Sequence, residues 1–68
     1  MNTYQVTAQR LGKVQSHTFT DVDDTEATMT AIFYILDQAK TKQMWAKGRI
    51  ELQNTTTNQT LKVMEAKQ

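Results

Sequence analysis

Residues 23–42 read DDTEATMTAIFYILDQAKTK, and they predict the one long helix of the chain. Asp23 suits the N-cap position, and Glu26 follows three residues later, as in a capping box. The acids of this first turn suit the positive end of the helix dipole, and the lysines near residue 42 suit its negative end. We therefore expect a helix over residues 24–42.

This predicted helix is amphipathic. At 100° per residue its apolar residues gather on one side, and they are Met29, Ile32, Ile35, Leu36 and Ala39, flanked by Ala31 and Phe33. Because that side should pack on the core, we expect Ile32→Ala or Leu36→Ala to cost about 2–5 kcal/mol of the free energy of unfolding.

Two strand patterns precede the helix. Residues 3–9 alternate polar and apolar side chains, with Tyr4, Val6 and Ala8 on one face. Residues 13–20 predict a second strand, and Gly12 can supply the positive φ of a tight hairpin turn. Val14 and Phe19 have opposite parity in this strand, so both can face the core only if a bulge intervenes.

Two further strand patterns follow the helix. Residues 45–53 alternate, and residues 59–65 alternate again after a polar turn at residues 54–58. The inward positions of these two strands are predicted to be Ala46, Gly48, Ile50, Leu52, Leu61 and Val63.

The order of elements defines the predicted fold. It is an α+β domain over residues 1–68, β-β-α-β-β, with a four-stranded antiparallel sheet and one amphipathic helix on one face. One helix covers only one face of such a sheet, so the other face should be open to solvent or to another molecule. The predicted core consists of Tyr4, Val6, Ala8, Phe19, Met29, Ile32, Ile35, Leu36, Ala39, Ile50, Leu52, Leu61 and Val63.

Composition excludes several classes of protein. The chain has 68 residues, no cysteine, one histidine and a formal net charge of +1, so we expect no disulfide, no metal site, no cofactor and no strong field for polyanions. The longest apolar run spans residues 31–36, whereas a membrane span needs about 20 residues. Without a recognisable signal peptide, the expected location is cytoplasmic.

No arrangement of residues predicts catalysis. His17 lies in a strand, where its neighbours Ser16 and Thr18 point to the opposite face. Gly12 and Gly48 are the only glycines, too few for a phosphate-binding loop. The acids at residues 21–26 fit helix capping better than a calcium loop. We therefore expect a protein that is not an enzyme.

The open face of the predicted sheet is the candidate interaction site. The third strand projects Trp45, Lys47 and Arg49, the fourth projects Lys62 and Met64, and Tyr34 lies on the far side of the helix. Aromatic, methionine and arginine side chains are enriched at protein interfaces. Trp45→Ala is accordingly expected to weaken association without unfolding the domain.

Three kinds of partner fit this expectation. The small core favours a homodimer through the open face or an edge strand, or else a distinct protein partner. The alternative is single-stranded nucleic acid, which stacks on exposed aromatics of basic sheet faces. Against that alternative, Trp45 is the one aromatic assigned to the face, and Glu51 beside it would repel phosphate.

Overall fold

The four strands form one antiparallel sheet, and a long helix packs on one of its faces. The computed structural model describes residues 1–65. Its elements are β1 (Asn2–Arg10), β2 (Lys13–Asp21), α1 (Asp24–Ala39), α2 (Gln43–Lys47), β3 (Arg49–Asn54) and β4 (Gln59–Glu65). The strand order is β2-β1-β3-β4. The predicted α+β class, with a helix on a four-stranded antiparallel sheet, is confirmed.

The start of α1 follows the predicted cap. The Asp23 side chain accepts a hydrogen bond from the Glu26 amide at 2.8 Å, and the Asp23 carbonyl accepts one from the Ala27 amide at 3.0 Å. The first bond satisfies an amide that the first helical turn leaves without an intrahelical partner, and the second is the first i→i−4 bond of the helix. The predicted N-cap is thus confirmed.

The predicted end of the helix is wrong. α1 ends at Ala39, and after an extended residue at Lys42 the chain turns again into the short α2. Residues 45–47, predicted as the start of the third strand, therefore belong to α2, and β3 begins at Arg49. The extra turn carries the large Trp45 ring back over the sheet, where burial stabilises it.

The first hairpin is regular along its whole length. β1 and β2 pair from Asn2 opposite Asp21 to Arg10 opposite Lys13 without a register shift. Leu11 and Gly12 form the turn with φ of 53° and 78°, as a tight two-residue hairpin requires. No bulge intervenes in β2, so Phe19 faces the helix and Val14 lies exposed on the other side.

The second hairpin contains a bulge that changes the parity of β4. The register passes from Leu52 opposite Lys62 to Gln53 opposite Thr60, which leaves Leu61 as the extra residue.

Two predictions about β4 fail for this reason. Met64 lies opposite the buried Ile50, so Lys62 and Met64 share the helix-covered face instead of pointing outward. Val63, predicted inward, lies opposite Glu51 and is exposed.

The core is built from small helix residues and large sheet residues. Its buried apolar members are Tyr4, Val6, Ala8, Ala27, Ala31, Ile35, Trp45, Ile50 and Leu52, with Phe19, Ala39, Leu61 and Met64 partly buried against them. Met29, Ile32 and Leu36 were predicted in the core and are exposed. Because Ala27 and Ala31 bring α1 close to the sheet, the larger residues are turned to the outside.

A polar network joins α1, β1 and the β3–β4 turn. One carboxylate oxygen of Asp24 accepts hydrogen bonds from the Tyr4 hydroxyl and from the Asn54 side-chain amide, both at 2.9 Å. Asn54 is buried, and its own side-chain oxygen accepts a bond from the Thr57 amide at 3.1 Å. These polar groups are paired, as groups removed from water must be.

Adjacent helix residues test which side of α1 is buried. We expect Ile35→Ala to lower the free energy of unfolding by about 2–5 kcal/mol, because Ile35 is buried in the core. Leu36→Ala should cost less than about 1 kcal/mol, because more than half of Leu36 is already exposed. Urea unfolding of both variants checks this, and equal losses would contradict the observed orientation of α1.

Ionisation of Tyr4 at high pH is expected to destabilise the fold. Burial of the ring, and next its hydrogen bond to Asp24, raise the pKa of Tyr4 above the ordinary value of 10.0. The unfolded chain therefore ionises first, so this stabilisation is complete below about pH 10 and is lost as the pH rises through the native pKa. The free energy of unfolding, measured between about pH 8 and about pH 12, should decline more steeply with pH in the wild type than in Tyr4→Phe.

Candidate functional site

The residues predicted for the open sheet face do not come together there. Trp45 is 2% exposed and lies in α2, on the face covered by α1. Its indole Nε1 donates a hydrogen bond to the side-chain oxygen of Gln15 on β2 at 3.0 Å. The placement of Trp45 on an open face is therefore wrong, and the ring is part of the core.

The predicted cations are dispersed. Lys47 is an exposed residue of α2, and Lys62 lies on the helix-covered face opposite Leu52. Arg49 lies on the open face, where its guanidinium contacts the carboxylates of Glu65 at 3.0 Å and Glu51 at 3.5 Å. These acids neutralise the positive charge that a phosphate backbone would need.

Tyr34 belongs to an aromatic cluster instead of an outward surface. Its ring stacks on His17 with centroids 4.1 Å apart and meets Trp45 edge-on at 5.2 Å. His17 also stacks on Phe19 at 5.9 Å. The histidine is thus an aromatic packing partner between α1 and β2, and Tyr34 is half-buried against it.

The open face of the sheet is mostly polar along β1 and β2. Side chains of β1 and β2 on this face are hydroxyls and amides, with Val14 at one end: Thr3, Gln5, Thr7, Gln9, Val14, Ser16, Thr18 and Thr20. Thr7 and Ser16 contact each other across the two strands at 3.3 Å. This face carries no aromatic ring among residues 1–65, so it lacks the stacking platform on which the nucleic-acid expectation depended.

The large exposed apolar surface lies on α1, on the side away from the sheet. Met29, Ile32, Phe33 and Leu36 are 50, 37, 67 and 58% exposed. Their spacing of i, i+3, i+4 and i+7 places them on one face of the helix. We call these four residues the helix stripe.

A groove adjoins the helix stripe at its C-terminal end. It has a volume of about 400 Å³ and is lined mainly by apolar atoms of α1, α2, β3 and β4. The lining includes Leu36, Ala39, Trp45, Ala46, Ile50 and Met64. Leu36 belongs to both features, so stripe and groove form one continuous apolar surface, which we call the docking surface.

The charges beside the helix stripe are mostly acidic. Asp37 stands four residues after Phe33 and Glu26 stands two helical turns before it, so both lie on the same side of the helix stripe. One flank of the docking surface therefore carries one acid near each end of α1, and Lys40 lies beyond Asp37.

Sequence reasoning missed the helix stripe because hydrophobic periodicity does not weigh size. From periodicity alone, the side of α1 with the larger apolar residues was predicted to be buried. A second signal was present, since Ala27, Ala31 and Ile35 recur every four residues and can place a helix close to a sheet. The two apolar sides together indicate a helix with one face on the core and one face free.

Neither metal ligation nor a membrane span is indicated in the part of the chain that the structure describes. No three His, Cys, Asp or Glu side chains come together there in a way that would hold a metal ion. Neither described helix combines the length and apolar content needed to cross a membrane.

No protein-family model matches the chain, and no curated protein or solved structure matches it either.

The buried position of Trp45 leads to a direct test. We expect Trp45→Ala to lower the free energy of unfolding by about 3–5 kcal/mol, because it removes the largest fully buried side chain and its bond to Gln15. Lys47→Ala, an exposed change in the same short helix, should alter it by no more than about 0.5 kcal/mol. Chemical unfolding of the two variants decides the matter, and a Trp45→Ala protein as stable as Lys47→Ala would contradict the packing described here.

Proposed function

We propose that this domain is a non-enzymatic protein-interaction module whose docking surface binds an amphipathic helix of another protein. The observation that carries the proposal is the exposure of four large apolar side chains, the helix stripe, in one contiguous row. The expected cytoplasmic location is part of the proposal, since a partner helix would have to be met there.

Exposed rows of this kind are unfavourable unless something covers them. Apolar surface costs about 25 cal/mol per Å² when it is left in water, and monomeric proteins seldom expose large contiguous apolar patches without a function for them. The core of this domain is already closed by Ala27, Ala31 and Trp45. The helix stripe therefore does not serve the fold, and a partner that covered it would gain apolar burial.

The shape of the docking surface indicates how a partner would bind. A groove of about 400 Å³ has room for one large side chain, and such desolvated pockets hold the anchor residues of interfaces. The helix stripe beside it can pack against the apolar face of a second helix, in the helix-in-groove mode of recognition. We expect the partner helix to place an aromatic or leucine anchor in the groove.

The charges beside the helix stripe indicate which charges the partner helix should carry. Glu26 and Asp37 border the helix stripe on one side. A partner helix with lysine or arginine next to its apolar face would be attracted there, whereas an acidic one would be repelled. The chemistry expected of the partner is thus an apolar row with basic flanks.

Single-stranded nucleic acid binding remains the alternative from the sequence, but no arrangement of residues favours it. The cations expected to form a platform are dispersed, and Arg49 contacts two carboxylates. If that alternative held, binding of an oligonucleotide would weaken steeply as salt rises.

A synthetic peptide tests the docking surface. Trp45 is the only tryptophan and lines the groove, so its fluorescence reports occupancy there. A tryptophan-free amphipathic peptide of about 16 residues, with leucines in one row and lysines beside it, should shift the emission saturably. Phe33→Asp should weaken binding at least about tenfold, because it places a charge in the centre of the helix stripe.

The matched control is Val63→Asp, an exposed apolar residue on the opposite side of the sheet and outside β2. It should leave peptide affinity unchanged, and neither variant should change the melting temperature greatly, because both side chains are exposed. If the wild type and both variants bind the peptide with equal affinity, or if none binds it, the docking surface is refuted. If Phe33→Asp instead converts a dimer to a monomer, the occupant is a second copy.

A further inference from the structure

The two edges of the sheet differ in whether another strand can be added. β4 is interrupted by the bulge at Leu61 and carries Lys62 in its middle, and both features discourage pairing with another chain. β2 is nine residues long, follows β1 without a register shift and contains neither proline nor an internal charge. Its edge therefore presents an unprotected row of backbone donors and acceptors.

The hairpin geometry tells which backbone groups of β2 are free. The residues that close a two-residue turn, Arg10 and Lys13, form a hydrogen-bonded pair. Counting from there, the odd-numbered residues of β2 direct their amide and carbonyl groups toward β1. The even-numbered residues direct theirs to the free edge, and they are Val14, Ser16, Thr18 and Thr20.

This edge is complementary to itself. When β2 is laid antiparallel on a second β2 with His17 at the centre, Val14 faces the partner's Thr20 and Ser16 faces the partner's Thr18. Every outward backbone group then meets an outward group, giving about eight hydrogen bonds from four pairs. The side chains paired on the open face are small and uncharged, so none repels another.

The charges of β2 select the same register. Its only charged residues are Lys13 and Asp21, at equal distances on either side of His17. In the antiparallel arrangement Lys13 stands opposite the partner's Asp21 at each end of the pair. A parallel arrangement would set lysine beside lysine and aspartate beside aspartate, which is unfavourable.

From this complementarity we infer that β2 is a dimerisation edge, occupied by a second copy of this chain in antiparallel register about a two-fold axis at His17. The two sheets join into one sheet of eight strands, with both α1 helices on the same face. This inference is argued from the backbone and charges of β2 and does not depend on the docking surface, which lies on α1.

Amide hydrogen exchange gives the direct test. Raising the protein concentration should slow exchange at Val14, Ser16, Thr18 and Thr20, whereas Gln15, His17 and Phe19, whose amides face β1, should exchange equally slowly at all concentrations. Protection that rises with concentration at odd and even residues alike, or at neither set, overturns the register.

Charge reversal tests the ends of the pair. In light scattering after size exclusion, Lys13→Glu and Asp21→Lys should each weaken the dimer about tenfold, because each sets like charges opposite at both ends. A mixture of the two variants should restore it, since each end then again joins opposite charges. Damage to the fold would not be rescued by mixing, so rescue separates the interface from simple destabilisation.

Thr18→Pro completes the test. Proline removes an amide hydrogen that points out of the sheet, so the domain should keep its fold while the dimer is lost. Its folding is checked by circular dichroism, and Ser16→Pro serves as a second variant. A wild type that is monomeric throughout, or a dimer that survives Thr18→Pro and Ser16→Pro but is lost in Phe33→Asp, overturns the inference, and the second result moves self-association to the helix stripe.

Discussion

The close contact of α1 with the sheet governs the rest of this structure. Ala27 and Ala31 meet the core with single methyl groups, so no large side chain of α1 stands beneath the helix at these two positions. The volume that larger helix residues would have filled is supplied by Tyr4 from the sheet and Trp45 from α2. Among the large side chains of α1, Ile35 and Tyr34 are turned inward, and the others are turned to the outside: Met29, Ile32, Phe33 and Leu36.

The sequence predicted the elements that depend on local chemistry. The Asp23 cap, the alternation of Tyr4, Val6 and Ala8 and the turn at Gly12 each have a short-range cause, and each is present. The orientation of the helix has no such cause. It depends on which residues leave room for a neighbouring sheet, and periodicity alone assigned the larger side chains to the core.

The remaining errors also arise from long-range packing. Residues 45–47 continue the alternation of β3, yet they form a helical turn because burial of Trp45 over β2 outweighs a weak strand preference. Likewise, Leu61 and Val63 alternate in the sequence, and only pairing with β3 reveals that a bulge separates them. Neither effect can be read from a window of a few residues.

The predicted site shows the same limit. Five of its six residues were predicted on the open sheet face, with Tyr34 on the helix. The changes in α2 and β4 distribute those five among the core, the surface of α2, the helix-covered face and the open face. The idea of an unpartnered surface on a small domain continues as a proposal, but its residues are those of the helix stripe. What sequence reasoning supplied was the expectation that a domain with so small a core has a partner.

The bulge in β4 has a consequence for the stoichiometry of any assembly made by strand addition. If both edge strands of a sheet could pair with other copies of the chain, the sheet would extend without limit into a fibre. Here the bulge at Leu61 and the neighbouring Lys62 discourage another strand from pairing with the β4 edge. In the dimer inferred above, the β2 edge of each molecule would be used once, so the assembly would close at two copies.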